Sequence, residues 1–181
     1  MREIEPLKIK NGQEAESILT GFVNHGLDSN AYVEFMGLAS DSTLLHLAAY
    51  LDLGQVVRDL LDDGADVNAV NLAKETPLHL ACSGIGSRIL VSALLVNSSA
   101  SLNCQDRFGE TPLHRAARFE NLPLIAYLLD EGANPLILSR DGITAIDLCQ
   151  GAPRRYLSER TAQILLENEF PTLEEMKRLK V

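Results

Sequence analysis

The chain has 181 residues, of which 46% are apolar and only 5% aromatic, with no Trp, so a core is available but must be drawn mainly from Ala and Leu rather than large rings. Sixteen basic against 25 acidic residues leave a net charge of −9, which argues against nucleic-acid binding, because that depends on neutralising phosphates with Lys and Arg. The longest apolar run, Ile89 to Val96, is too short to span a bilayer, and the first residues hold no apolar stretch that would serve as a secretion signal, so no membrane contact is expected and a cytoplasmic location is, with the nucleus as the alternative.

In chain order, residues 18–31 can be laid over 60–69, with Phe22-Val23 on a Leu pair and Gly26 on a Gly that follows it. They read as a worn second helix and its stop, with the matching first helix eroded into residues 1–13. The interval from Gly26 to Thr43 is longer than the next such interval, Gly64 to Thr76. The surplus, about five positions, is apolar, with Tyr32, Val33, Phe35, Met36 and Leu38, and it is expected to fold back over the first repeat, a binding role being the alternative.

Four stretches then share one pattern: Thr43-Leu44-Leu45-His46-Leu47-Ala48-Ala49, Thr76-Pro77-Leu78-His79-Leu80-Ala81-Cys82, Thr111-Pro112-Leu113-His114-Arg115-Ala116-Ala117 and, more loosely, Thr144-Ala145-Ile146-Asp147-Leu148-Cys149. Thr suits a helix N-cap, Pro suits the first turn, where no amide hydrogen is needed, and the small residues let a second helix approach closely. The four threonines recur with a period of about 33 residues, which marks a stacked solenoid rather than one closed core. A second pattern keeps step with the first, Leu60-Leu61-Asp62-Asp63-Gly64-Ala65 following Thr43 at the same distance as Leu128-Leu129-Asp130-Glu131-Gly132-Ala133 follows Thr111. In each, Gly is placed to stop a helix in the left-handed conformation. Each unit is therefore helix, tight turn, helix and extended loop. In the second unit no Gly stands at the stop, and Asn97 is the residue expected there. In the third, Asn121 is expected to cap the second helix. In the fourth the Leu pair, Leu165-Leu166, comes later behind its threonine than in the others, the surplus lying around residues 151–156. Pro171-Thr172-Leu173-Glu174-Glu175-Met176 then reads as a capping box opening a last helix, with Leu173, Met176 and Leu179 at helical spacing.

These two motifs in phase closely resemble the ankyrin-repeat family, whose signature is Thr-Pro-Leu-His-x-Ala followed by Leu-Leu-x-x-Gly-Ala. The resemblance covers residues 39–168 and implies an all-α solenoid of about four repeats, with a degenerate N-terminal capping repeat over 1–38 and a C-terminal capping helix over 169–181. It also implies that each motif His hydrogen-bonds its Thr and ties adjacent loops, that first helices and loop tips line a concave face, and that the protein binds partner proteins without chemistry of its own.

The residue inventory agrees. Three of the four histidines, His46, His79 and His114, sit in the repeat motif, and no Ser, His and acid set, metal-ligand spacing or phosphate-loop frame falls outside it, so neither enzyme activity nor a cofactor or metal is expected. Cys82, Cys104 and Cys149 cannot all pair and are expected as reduced, packed thiols. In the ankyrin arrangement the concave face takes Ala39, Ser40, Ser42, Tyr50 and Leu51, then Leu72, Ala73, Glu75 and Ser83, then Arg107, Phe108, Glu110, Arg118 and Phe119. Aromatic and Arg side chains are enriched at interface hot spots, which makes Tyr50, Leu51, Arg107, Phe108, Arg118 and Phe119 the candidate contact residues, with Arg115, at a motif position more usually apolar, adding to a local positive patch. The expected partner of this monomer is another protein, offering an acidic segment with an apolar anchor. The function expected is that of an adaptor, scaffold or inhibitor; the alternative is an assembly chaperone or secreted effector that uses the 32–38 loop or the C-terminal helix.

Overall fold

The computed structural model describes residues 7–9, 17, 21, 30–35, 38–83 and 89–167. Over residues 44–167, eight helices with described bounds follow one another in pairs: α1 Leu44–Tyr50 and α2 Gly54–Asp62, α3 Pro77–Ala81 and α4 Ile89–Asn97, α5 Pro112–Arg118 and α6 Leu122–Asp130, α7 Ala145–Leu148 and α8 Gly151–Glu167. First helices pack on first helices in the order α1, α3, α5, α7, and second helices on second helices in the order α2, α4, α6, α8, so the chain is a two-layered solenoid.

The helices form where the motif places them because each N-terminus is capped from within. Thr43, Thr76 and Thr111 are extended, and each hydroxyl accepts the amide hydrogen of the His three residues on, while the His ring accepts the Thr amide. So short a helix is unstable alone and is held by burial of its apolar face. Leu44, Leu45, Leu47, Ala48 and Ala49 are buried in α1, as are Leu78 and Ala81 in α3 and Leu113, Ala116 and Ala117 in α5. The second helices close the core with Val56, Val57, Leu60, Val91, Leu95, Leu124, Ile125 and Leu128. Asn121 caps α6 as expected, its side-chain oxygen accepting from the Leu124 amide.

Three positions depart from the reading of the chain. The stop after α4 is made by Ser99, at φ +71°, and not by Asn97, which is the last residue of the helix. Ser99 stands in phase with Gly64 (φ +85°) and Gly132 (φ +96°), and the bond that closes each stop recurs: the amides of Ala65, Ala100 and Ala133 donate to the carbonyls of Leu60, Leu95 and Leu128. Register overrides residue preference, and Ser accepts the strain a Gly would avoid. In the fourth repeat the surplus around residues 151–156 belongs to the second helix itself, since α8 begins at Gly151 and runs 17 residues.

The third departure is at the N-terminal end, where three short strands, β1 Leu7–Ile9, β2 Tyr32–Phe35 and β3 Ser42–Thr43, form a sheet in that order. Strand β1 is parallel to β2, with Leu7 opposite Val33, and β2 is antiparallel to β3, with Val33 opposite Ser42. The expectation of an eroded helix over 1–13 is corrected for its described part, which is strand. The alternation explains the surplus loop: Tyr32 and Glu34 are exposed, Val33 between them is buried in the core, and Leu38 packs against it. The capping helix expected over 169–181 and most of the worn N-terminal repeat lie outside the described residues.

Candidate binding face

The face is built on three repeated ties. The Nδ1 atoms of His46, His79 and His114 accept from the amides of Thr43, Thr76 and Thr111 at 3.1, 3.1 and 3.2 Å, so the hydrogen is on Nε2 in each ring. That Nε2–H donates to a carbonyl of the next loop: His46 to Glu75 at 2.9 Å, His79 to Glu110 at 3.1 Å and His114 to Ile143 at 3.1 Å. Burial holds all three imidazoles below their usual pKa, and brings His79 to about 4. In the fourth motif Asp147 accepts from the Thr144 amide and hydroxyl. A carboxylate satisfies the cap but has no second donor, and so makes no tie onward.

Each loop is a tight finger whose tip residue has positive φ: Asp41, Lys74, Gly109 and Gly142. Adjacent fingers are joined through the backbone, with the amides of Leu72, Arg107 and Arg140 donating to the carbonyls of Ser40, Ala73 and Phe108 at 2.9, 2.8 and 2.8 Å. At Gly109 the neighbouring finger comes so close that a Cβ would stand 2.8 Å from the Arg140 nitrogen. A parallel ladder binds the other loops: Asn30, Asn68 and Asn103 accept, through Oδ1, the amides of Asp66, Ser101 and Asn134. It keeps step with the threonines, a signal that could have identified it in the sequence. Asn30 stands further from Asn68 than Asn68 does from Asn103, because the surplus of the first loop lies between them.

Between the second and third fingers lies an ion network. Arg115 Nη2 is 2.9 Å from Glu75 and 2.6 Å from Asp106, and its Nε is 3.2 Å from Glu110; Arg118 pairs with the other oxygen of Glu110. Asp106 also accepts the amides of Phe108 and Glu110, and Glu75 accepts from the Asn71 side chain. Burial alone would raise the Asp106 carboxyl, but the Arg115 guanidinium and those two amides outweigh it and hold the group below the usual carboxylate range. Burial works against charge on Arg115 too, and the three carboxylates more than offset it.

This corrects the expected positive patch. Arg115 is 17% exposed and committed to three carboxylates from two fingers, so it ties repeats together. Arg118 is half exposed but shares Glu110. Two guanidinium groups meet three carboxylates, and the cluster carries an excess negative charge. Asp106 was not singled out from the sequence, because nothing in residue order shows that it meets an Arg of the following helix. Of the other candidates, Leu51 is the C-cap of α1 and packs on the core, Tyr50 is partly buried, and Phe119 is the exposed C-cap of α5. Ala73, expected at the surface, is buried, as is Ser42, whose hydroxyl donates to the Ala39 carbonyl. Arg107 and Phe108 come together, the guanidinium carbon 4.7 Å above the ring centre. With Leu72 they border a cleft of about 460 Å³ whose other walls are Leu38, Ala39, Ser40, Ala73 and Glu75.

A family model described as ankyrin repeats (3 copies) matches residues 45–139 and again 80–172. Human BCL-6 corepressor-like protein 1 is 36% identical over 124 residues, 67% of this chain and 7% of that protein. The E3 ubiquitin-protein ligase KEG of Arabidopsis thaliana is 34% identical over 131 residues, 69% of this chain and 8% of that protein. Ankyrin repeat domain-containing protein 37 of Bos taurus is 38% identical over 93 residues, 51% of this chain and 58% of that protein. The chain thus spans less than two thirds of each of these relatives. The phase of the capped helices, the His ties between fingers and the family match over residues 45–172 lead to one conclusion: the chain belongs to the ankyrin-repeat family.

Proposed function

We propose that the chain is a rigid recognition module that binds a partner protein on its concave face and acts by occupancy rather than catalysis. Ankyrin repeats are protein–protein interaction units, and the relatives place them in proteins as different as one named a corepressor-like protein and one named a ubiquitin ligase. The observation that carries the reading is the contrast within the fingers. Their backbone is tied at every step, yet Leu72 and Phe108 remain 66% and 50% exposed, and Phe119, at the end of α5, is 41% exposed. Apolar side chains held out to solvent on a stiff frame lose little entropy on binding and suit an anchor contact. The partner is a protein segment with an apolar anchor and an acidic residue, bound by a monomer, and the role is that of an adaptor, scaffold or inhibitor. Three reduced thiols suit a reducing compartment, the cytoplasm or nucleus. In the alternative, a contact through the 32–38 loop or the C-terminal helix, Val33 is committed to the core and Tyr32, 53% exposed, is the side chain of that loop open to a partner.

Affinity capture from the native host with wild type, a Leu72→Ala/Phe108→Ala/Phe119→Ala variant and Arg58→Ala tests this reading. Arg58 is an exposed residue of α2, in the layer of second helices, and its substitution removes a charge from the opposite side. A protein retained by wild type and Arg58→Ala but lost from the triple variant supports the concave face. Equal loss from front and back variants, or none from the front, overturns it.

A further inference from the structure

We propose that Arg107 is the residue of this face that reads the partner's carboxylate, and that the exposed side chains of Leu72 and Phe108 beside it take the apolar side chain next to that carboxylate. The inference rests on the reading above and assigns its specificity. Three guanidinium groups lie on the second and third fingers and the helix behind them. Arg115 is surrounded by Glu75, Asp106 and Glu110, and Arg118 shares Glu110. A partner carboxylate approaching either would have to displace a resident one and would meet the excess negative charge of the cluster. Arg107 is different. It is exposed, and among the described residues no carboxylate pairs with it.

Its placement is also fixed. The backbone amide of Arg107 donates to Ala73 at 2.8 Å, and the guanidinium lies over the Phe108 ring. Stacking restrains the planar fork while leaving its edge free for two parallel bonds to a carboxylate. The cleft bordered by the same two side chains is lined mostly by polar groups, and the apolar surface beside the guanidinium is that of Leu72 and Phe108, 66% and 50% exposed, so charged and apolar contacts are presented side by side. The Glu75 carboxylate on its wall is taken up by Arg115 and Asn71. Arg115 therefore acts as a positioning residue: it joins the two fingers that form the walls and offsets part of the negative charge of Glu75, Asp106 and Glu110.

The test is a phage-displayed library of random nine-residue peptides panned against the intact 181-residue chain, Arg107→Glu, Arg118→Gln and Leu72→Ala/Phe108→Ala. Wild type should enrich Asp or Glu within two residues of Leu, Met or an aromatic. Arg107→Glu should replace that acid by Lys or Arg, and peptides chosen on wild type should bind it at least about tenfold more weakly, while Arg118→Gln stays within about threefold. If Arg107→Glu proves misfolded by circular dichroism, Arg107→Gln carries the test, with the acidic preference lost and not reversed. Acid preference that follows Arg118, or enrichment without acid preference, overturns the inference and leaves the binding face standing. Failure to enrich any peptide, or binding indifferent to Leu72→Ala/Phe108→Ala, overturns both.

Discussion

His79 and Glu110, 31 residues apart in the chain, are joined at 3.1 Å by an imidazole N–H donating to a main-chain carbonyl, inside the stack where water does not reach the ring. The other nitrogen of the ring accepts the Thr76 amide, so a neutral imidazole uses both of its nitrogens and an imidazolium would lose the cap.

Stability should therefore fall on mild acidification. The folded pKa of His79, about 4, lies below the unfolded value of about 6.5, so the unfolded chain binds the proton first. The contribution is complete above about 6.5 and is lost as pH falls through the folded value. Between pH 7 and pH 5 this one group should cost roughly 2 kcal/mol. His46 and His114, also lowered by burial, act in the same direction. Urea denaturation at the two pH values measures the loss, and His79→Gln should make it smaller. Equal stability at both values, or an undiminished loss in the variant, would falsify the assignment of neutral rings.

Gly109→Ala should destabilise the protein by on the order of 1 to 3 kcal/mol, because the backbone has φ +74° and the new methyl meets the Arg140 backbone. Gly132→Ala shares the positive φ but enters open space, so it should cost less. Denaturation midpoints of the two variants compare the effects directly, and a reversed order would show that the fingers are less closely spaced than described.

Arg115→Met keeps the apolar stem of the side chain and removes its guanidinium, leaving Glu75, Asp106 and Glu110 facing one another with Arg118 alone to offset them. We expect a loss of roughly 2 to 3 kcal/mol, somewhat below the cost of breaking a fully buried pair because the Arg is partly exposed. Arg118→Ala, at a half-exposed pair, should cost less than about 1 kcal/mol. Thermal or chemical unfolding at pH 7 separates them, and similar small losses from both would reduce the network to surface ion pairing.

The strand at the N-terminal end has its own test. Val33→Ala should cost about 1 to 2 kcal/mol as a buried truncation, whereas Tyr32→Ala, on the exposed side of the same strand, should change stability by less than about 0.5 kcal/mol. Equal effects would mean that residues 32–35 are not inserted as the alternation indicates.

Much of this molecule was legible in residue order, because the parts concerned are local. A Thr with a His three residues later caps one turn of helix whatever surrounds it, and the near-constant interval between Thr43, Thr76, Thr111 and Thr144 puts the helices in register. The solenoid and its period follow. Other features depended on what lies opposite. Ser99 is left-handed because the bond from Ala100 to Leu95 demands it in phase with Gly64, although Asn97 is the better left-handed residue in isolation. Arg115 looked like surface charge until Glu75, 40 residues earlier, and Asp106, nine earlier, were brought to its guanidinium. Charges act through distance in space, and the stack makes distant residues neighbours. Capping is a contact within a single turn and was readable in the chain; the partition of Arg107, Arg115 and Arg118 into one open guanidinium and two engaged ones was decided only by the tertiary structure.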